Sequence, residues 1–383
     1  MQQPKTIFQL FASRTWGGGE RFVCDLARRQ IADGMRVVFI SRKSEVLRNH
    51  TAEFGMPHTE LPLKGAADLL SAMKIARLIV RESPSVIHLH HFKDLFTVAV
   101  ALKLSRLSGC KARPAVIVTR HLARKGKGGL FYRYIYRNVN RIVFVSEFAR
   151  RAFLSSQPPV DTGKTTVIRN TVPDFDPAAV AASDLRTRFG IDPDIPLLLF
   201  CGRLCGEKGV DILLDGCTRL AKRSFALVIV GTGDAQYVDK LQHTVKQAGL
   251  GEKVFFYGFS DAVPALMRQA DIVAIPSTVA EAGSLVLLEA MQAGCAVVAT
   301  DGGSQPEFIE QRADGLLVPP SDAEALAASL AELIDNKELR IRMGAAAAEK
   351  FRNGMSYDKF YEQYAALYNE CSCQHAERYE HSL

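Results

Sequence analysis

No apolar run in this 383-residue sequence approaches the ~18 to 20 residues needed to cross a bilayer. Export is not expected: Ile7–Phe11 is a short apolar stretch with one lysine before it and no small-residue cleavage site behind it. It reads as a first β-strand. Cysteines with a recognisable pairing are also missing. The eight, at 24, 110, 201, 205, 217, 295, 371 and 373, contain no C-x-x-C, and Cys201 and Cys205 lack a second pair or a nearby histidine to complete a zinc site. Several lie in apolar runs, where Cys behaves as a small hydrophobe, so reduced thiols and a cytoplasmic setting are expected. Short repeats and low-complexity tracts are absent. With 48% hydrophobic and 23% charged residues, the chain has an ordinary globular composition.

Acids are scarce in one half only. Residues 1–178 hold 29 Lys/Arg against 13 Asp/Glu, a net of +16, whereas residues 179–383 carry a net of −9. A basic half attracts an anionic partner. The excess concentrates in residues 111–151, with eleven cations and one acid, Glu147. Arg120, Arg124, Lys125, Lys127, Arg133 and Arg137 belong to it, interleaved with Phe131, Tyr132, Tyr134 and Tyr136. Arg133 and Arg137 share a helix face. The stretch suits an anionic or lipid-linked acceptor, or the anionic inner face of a membrane; a solvated face over core aromatics is the plainer alternative. No nucleic-acid motif accompanies the charge, so nucleic acid is not an expected partner.

Short apolar runs alternate with helical patterns, which argues for parallel βαβ units. In the first half strands are expected at Ile7–Phe11, Val37–Ser41, Val86–His90, Ala115–Thr119, Arg141–Val145 and Thr166–Arg169. The series stops at the breaker cluster Pro173–Ala182, where the charge changes sign. It restarts with Leu197–Cys201, Ala226–Val230, Val254–Tyr257, Asp271–Ile275, Ala296–Ala299 and Gly315–Val318. The fold class is therefore α/β, with two Rossmann-like doubly wound domains and ligands at the carboxyl ends of their strands. Residues 1–175 would form the N-terminal domain and 176–355 the C-terminal one. Residues 371–383 read as a frayed polar tail.

Three motifs sit at strand ends. Gly17-Gly18-Gly19 follows the first strand and opens a helix, allowing close backbone approach and offering N–H groups to an anion. Arg203 and Lys208, just past Leu197–Cys201, are spaced to converge on a diphosphate, one as a fork and one as a point charge; a solvated loop with Arg203 paired to Glu207 is the alternative. Glu281 precedes a helix beginning near Ser284, and Glu289 lies two turns in, among apolar neighbours where an acid needs partners. Asp174-Phe-Asp176 and Asp192-Pro-Asp194 match an acidic metal-binding pair formally, but both fall in turns away from a strand end. His88-Leu-His90-His91 lacks the acids or cysteines that would complete a metal set. No metal is expected.

The glycine run, the Arg203/Lys208 loop and the Glu281/Glu289 pair, with Thr119-Arg-His121, Val145-Ser146-Glu, Ile168-Arg-Asn170 and Val230-Gly231-Thr-Gly233, resemble the retaining family-4 (group 1) glycosyltransferases of the GT-B fold. The resemblance runs from Ile7 to about Tyr368. It implies an active site in a cleft between the domains, with the last helix (356–370) packing back on the first. Arg203 and Lys208 would neutralise the donor's diphosphate, Glu289 would bind its ribose, and Glu281 would lie near the transferred sugar. The backbone of Ala282, Gly283, Ser284 and Leu285 would meet sugar and phosphate, His121 the sugar's reacting face, and Gly18 and Gly19 the diphosphate. Gly202, Gly231 and Gly258 complete the implied donor surface, with base selection near 258–261. No cofactor is implied: a nucleotide-diphosphate sugar is the substrate, a UDP-sugar first and a GDP-sugar second. After Glu281 the family often has Pro or Gly and then Phe-Gly, whereas Ala282-Gly-Ser follows here, so the sugar stays open. The implied function is metal-independent retaining transfer in bacterial surface polysaccharide assembly, such as lipopolysaccharide or capsule. A sugar-nucleotide 2-epimerase and a non-catalytic basic membrane- or nucleic-acid-binding module remain as alternatives.

Overall fold

The computed structural model describes residues 5–13, 17–53, 55–65, 68–175 and 184–380. Arg14–Trp16, Asp176 and 381–383 lie outside them. The chain divides into two compact units: Met1–Asn170 with Asp358–Leu383, and Thr171–Tyr357.

The first unit is a seven-stranded parallel sheet. Its strands are β1 (Thr6–Phe11), β2 (Arg36–Ser41), β3 (His58–Glu60), β4 (Val86–Leu89), β5 (Ala115–Arg120), β6 (Arg141–Phe144) and β7 (Thr165–Val167). Their order is β3-β2-β1-β4-β5-β6-β7. The helices are α1 (Gly18–Ala32), α2 (Glu45–Glu53), α3 (Leu69–Glu82), α4 (Leu95–Leu107), α5 (Leu130–Arg137) and α6 (Glu147–Leu154). β3 is absent from the sequence expectation because His-Thr-Glu is half-exposed at a sheet edge and carries no apolar run.

The second unit repeats the plan. Helix α7 (Leu185–Phe189) precedes β8 (Leu197–Cys201), α8 (Val210–Arg219), β9 (Ala226–Val230), α9 (Ala235–Gln247), β10 (Val254–Gly258), α10 (Val263–Met267) and β11 (Ile272–Ile275). Then come α11 (Leu285–Ala293), β12 (Ala296–Thr300), β13 (Leu316–Val318), α12 (Ala323–Asp335) and α13 (Lys337–Gly354). The order is β10-β9-β8-β11-β12-β13, all parallel. Alternate residues of each strand feed opposite faces. Leu198, Phe200, Leu227 and Ile229 pack under α8 and α12, and Leu197, Leu199, Val228 and Val230 under α11 and α13. Burial on both faces explains why these strands read as unbroken apolar runs.

The last helix, α14 (Tyr357–Glu380), belongs to the first unit. Its aromatics recur at helical spacing and so line one face, which docks on the first sheet. Tyr364 and Tyr368 on that face are buried and reach Thr119 and His88. The frayed tail expected after Glu370 is a correction. The helix continues to Glu380, and Cys371 is buried because it falls one turn beyond Leu367 on the docked face.

In both units the strand order reverses beside the first strand, between β1 and β4 and between β8 and β11. A reversal of this kind is where doubly wound sheets bind ligands.

Candidate functional site

In the second unit the reversal lies between the loop after β8 and the loop after β11. Gly209 sits at φ +67°, and a Cβ there would fall 1.9 Å from the Pro276 carbonyl oxygen. Only glycine lets these backbones touch. Thr278 completes the junction, its N–H donating to the Glu207 carbonyl at 3.0 Å and its hydroxyl to that of Gly206 at 3.0 Å. The outcome is electrostatic: Lys208 Nζ meets Glu281 Oε1 at 2.7 Å. Ser277 donates to the same oxygen, and Ser284 also donates to the carboxylate. Burial opposes ionisation of Glu281, but the Lys208 ammonium and these hydrogen bonds outweigh it and hold the carboxyl below its ordinary value.

Glu281 is fixed by its backbone as well. It bridges in parallel with Gly303, and Ser304 N–H donates to the Glu281 carbonyl at 2.9 Å. Ala282 and Ser284 are buried and Gly283 is half-buried, leading into α11, whose first turn is capped by Ser284 Oγ accepting from Leu287 N–H at 3.4 Å. Glu289 is buried one face around α11, close enough to Cys201 at the end of β8 to push that thiol up beside the larger effect of burial. Gly202, Gly231 and Gly258 lie side by side across adjacent strand ends. Gly202 N–H donates to the Val230 carbonyl at 3.0 Å, and Gly231 N–H to that of Gly258 at 2.8 Å.

Lys208, Glu281, the 282–285 turn and Glu289 thus gather at one sheet end. Arg203 does not join them: its side chain is 68% exposed and nearest Glu207, at 3.9 Å. Asp192 caps a turn, accepting from Asp194 N–H at 2.8 Å. Among the described residues no group of three or more His, Cys, Asp or Glu is placed to hold a metal.

In the first unit, Gly18 and Gly19 open α1 after the β1 loop, and the ring of Phe11 packs 3.4 Å from where a Gly19 Cβ would be. His90 and His91 follow β4, and His121 follows β5. His121 packs edge-on to Phe22 at 4.8 Å and stacks on His90 at 5.4 Å. Burial, with neighbouring imidazoles adding to it, pushes His88 down to about 3 and His121 to about 3. Both are neutral at physiological pH. His91 is lowered to about 4 by burial, then by Lys93 and Arg42.

The basic stretch separates into two parts. Arg120 is held between the rings of Phe92 (4.6 Å) and Phe153 (4.8 Å), and its Nη2 donates to the Arg124 carbonyl at 2.7 Å. It braces the loop from within and is not an open surface cation. Arg124, Lys125, Lys127, Arg133 and Arg137 are exposed. Beside them, Leu130, Phe131 and Tyr134 are also exposed, at 81%, 46% and 50%, while Ile135 and Tyr136 turn inward. One outer face of α5 is therefore both cationic and apolar.

Sequence reading missed Ser277 and the side-chain bond from Ser284 to Glu281, and the polar side chains behind His121, Gln9 and Gln30. Gln9 inside a buried strand was the available signal, because a polar group there must find a partner.

Comparison with known proteins follows the same division. The family described as "Glycosyltransferase Family 4" matches residues 16–174, and that described as "Glycosyl transferases group 1" matches 182–350. The chain is 31% identical over 190 residues to an alpha-D-kanosaminyltransferase of Streptomyces kanamyceticus, covering 49% of each protein. It is 30% identical over 243 residues to a GDP-mannose-dependent alpha-(1-6)-phosphatidylinositol monomannoside mannosyltransferase of Mycobacterium tuberculosis, covering 61% of this chain and 60% of that one. The chain thus spans half to three fifths of the length of these curated relatives. The fold is that of Anabaena HepE, solved in complex with UDP-glucose, at a TM-score of 0.80 and 22% identity, over 95% of this chain and 99% of HepE.

Proposed function

Because the chain belongs to the family-4, group 1 glycosyltransferases of the GT-B fold, we propose that it transfers a sugar, with retention and without a metal, from a nucleotide-diphosphate donor to an anionic or lipid-linked acceptor. The carrying observation is the Lys208–Glu281 pair at the reversal point of the second sheet. A lysine already neutralised by one buried carboxylate keeps two further N–H donors, and a diphosphate arriving at the strand ends can recruit them. Arg203, on the same loop, is exposed and loosely paired, so it is free to swing onto the phosphates as charge develops on the leaving group. These two cations take the electrostatic role a metal would otherwise fill. Glu289, buried behind the start of α11, is placed to accept ribose hydroxyls, and the 282–285 turn meets the sugar.

The acceptor side is assigned to the first unit, whose strand ends carry His121 and whose α5 presents Arg133 and Arg137 with Leu130, Phe131 and Tyr134. That mixed face suits an anionic membrane surface or a lipid-linked saccharide, and with it a role in surface polysaccharide assembly such as lipopolysaccharide or capsule. A UDP-sugar is the first candidate donor and a GDP-sugar the second; HepE was solved with UDP-glucose and the mycobacterial relative is GDP-mannose-dependent. The test is thermal stabilisation by UDP, GDP, ADP and CMP in EDTA and then with magnesium, followed by transfer assays with sugars of the preferred base. A shift in EDTA that one nucleoside diphosphate produces supports the reading. No shift with any nucleotide, or one that requires magnesium, overturns it.

A further inference from the structure

Gln9 breaks the apolar run of β1, and its side chain is fully buried. Its Nε2 donates to Gln30 Oε1 of α1 at 3.0 Å, which turns its carbonyl Oε1 toward His90 Nε2, 2.8 Å away. A carbonyl only accepts, so His90 must carry its proton on Nε2. A neutral imidazole has one proton, so His90 Nδ1 is then a bare acceptor. It lies 3.2 Å from His121 Nε2, which must therefore be the donor. His121 Nδ1 is left unprotonated, and among the described residues it has no partner.

The surroundings keep this chain uncharged and oriented. Phe11 and Phe22 pack edge-on to the His90 ring at 5.8 and 5.9 Å and His88 lies 4.2 Å from it, and the burial of His90 and His121 opposes their protonation. His88 meets Tyr368 at 2.7 Å and Thr119 at 2.7 Å, with Tyr364 beyond at 3.0 Å, and Tyr368 in turn hydrogen-bonds Gln9 and Gln30. Residues of β1 and α1 and those just after β4 and β5 thus meet in one hydrogen-bonded line that ends on His121.

We propose that Gln9 and His90 are positioning residues that hold His121 in its Nε2–H form, so that its Nδ1 receives a sugar hydroxyl and turns away groups that can only accept, such as a carboxylate. The identity of the hydroxyl rests on the glycosyl-transfer reading; the proton's location does not.

The experiment labels histidine with nitrogen-15 in the full chain and correlates imidazole nitrogens with carbon-bound ring protons at neutral pH, using His121→Gln to assign the resonance. The wild type should show His121 protonated at Nε2 only. Gln9→Met, which removes the acceptor for His90, and His90→Phe, which removes the acceptor for His121, should each release that preference. Gln9→Met should also lower kcat by about tenfold or more, with KM for the nucleotide sugar little changed, since a misdirected ring misplaces the reacting group. A wild-type His121 protonated at Nδ1 overturns the proposal without any variant having to fold, as does a tautomer that neither substitution moves. Full kcat in Gln9→Met overturns the positioning role. Absence of transfer by the wild type with every nucleotide sugar would instead defeat the glycosyltransferase reading and leave the tautomer result standing.

Discussion

Replacing Lys208 by alanine strands a carboxylate. Glu281 is 12% exposed in its side chain and Lys208 29%, so neither charge is well solvated and neither is deeply buried. Ser277 and Ser284 would still donate to Glu281, which spares the variant the full cost of an unpaired buried ion. Losing one charge-assisted hydrogen bond while two neutral ones remain should cost about 1–3 kcal/mol. At roughly 2–4 °C per kcal/mol for a unit of this size, the second unit's transition should fall by about 2–12 °C at pH 7.5. The pH dependence is the sharper signature. In the wild type the depressed Glu281 carboxyl contributes stability that is present above its unfolded value and lost as pH falls through the folded one. Without the ammonium, burial is opposed only by the hydroxyls, so the carboxyl rises and the variant recovers as acid protonates it. The deficit should therefore be largest at pH 7.5 and shrink toward pH 4.5, and Glu281→Gln added to Lys208→Ala should restore part of it at neutral pH. Thermal and urea denaturation at three pH values measure all of this. A deficit that is constant from pH 7.5 to 4.5, or a double variant whose losses simply add, would refute the pairing as the source of the geometry.

Gly209→Ala should destabilise the second unit by roughly 2–4 kcal/mol, the left-handed backbone and the collision with Pro276 adding together, whereas Gly190→Ala, at φ +63° in open space, should cost only about 1 kcal/mol; equal midpoints in urea would show that the Pro276 contact is not binding. Tyr368→Phe should lose about 1–3 kcal/mol from the first unit by leaving His88 Nδ1 buried without its hydroxyl partner, read as a lower thermal midpoint. Arg133→Glu with Arg137→Glu should weaken sedimentation with vesicles rich in anionic lipid by at least about tenfold, at ~1 kcal/mol per cation, without changing stabilisation by nucleotide; unchanged sedimentation would remove the membrane from the proposal and leave an acceptor contact.

The central strands of both sheets were legible because they are buried on both faces. Leu197–Cys201 and Ala226–Val230 are apolar throughout and each ends at a glycine, so their carboxyl ends follow from composition. β3 was illegible for the opposite reason: three polar, half-exposed residues at an edge gain their pairing from β2 and not from any pattern of their own. The polar tail misled similarly. Cys371 is buried by helix docking that extends three residues past the last tyrosine of the aromatic series, and Ser372 and Cys373 give no hint of it. In the candidate site, charge and position at a strand end pointed to Lys208 and Glu281, which the structure brings together. Which acid Lys208 would meet was not readable, since a separation of 73 residues is closed only by the β8–β11 reversal.

Arg120 shows what a charge count conceals. Eleven cations in residues 111–151 suggest one electropositive face, yet Arg120 is half-buried between two phenylalanine rings, with burial lowering its ordinary value to about 10. Its guanidinium bridges toward the Arg124 carbonyl, so it supports the loop that carries Arg124, Lys125 and Lys127 outward. Gly126 anchors the same loop, since a Cβ there would lie 2.9 Å from the Phe153 carbonyl oxygen and 2.7 Å from Pro158. Phe153 thus contributes its ring to Arg120 and its carbonyl to Gly126 N–H, at 3.0 Å. One cation is withdrawn so that three others are held in place. Substituting Arg120 should therefore disturb this cationic face through its shape, whereas substituting Lys125 should act through charge alone, an effect that fades with added salt.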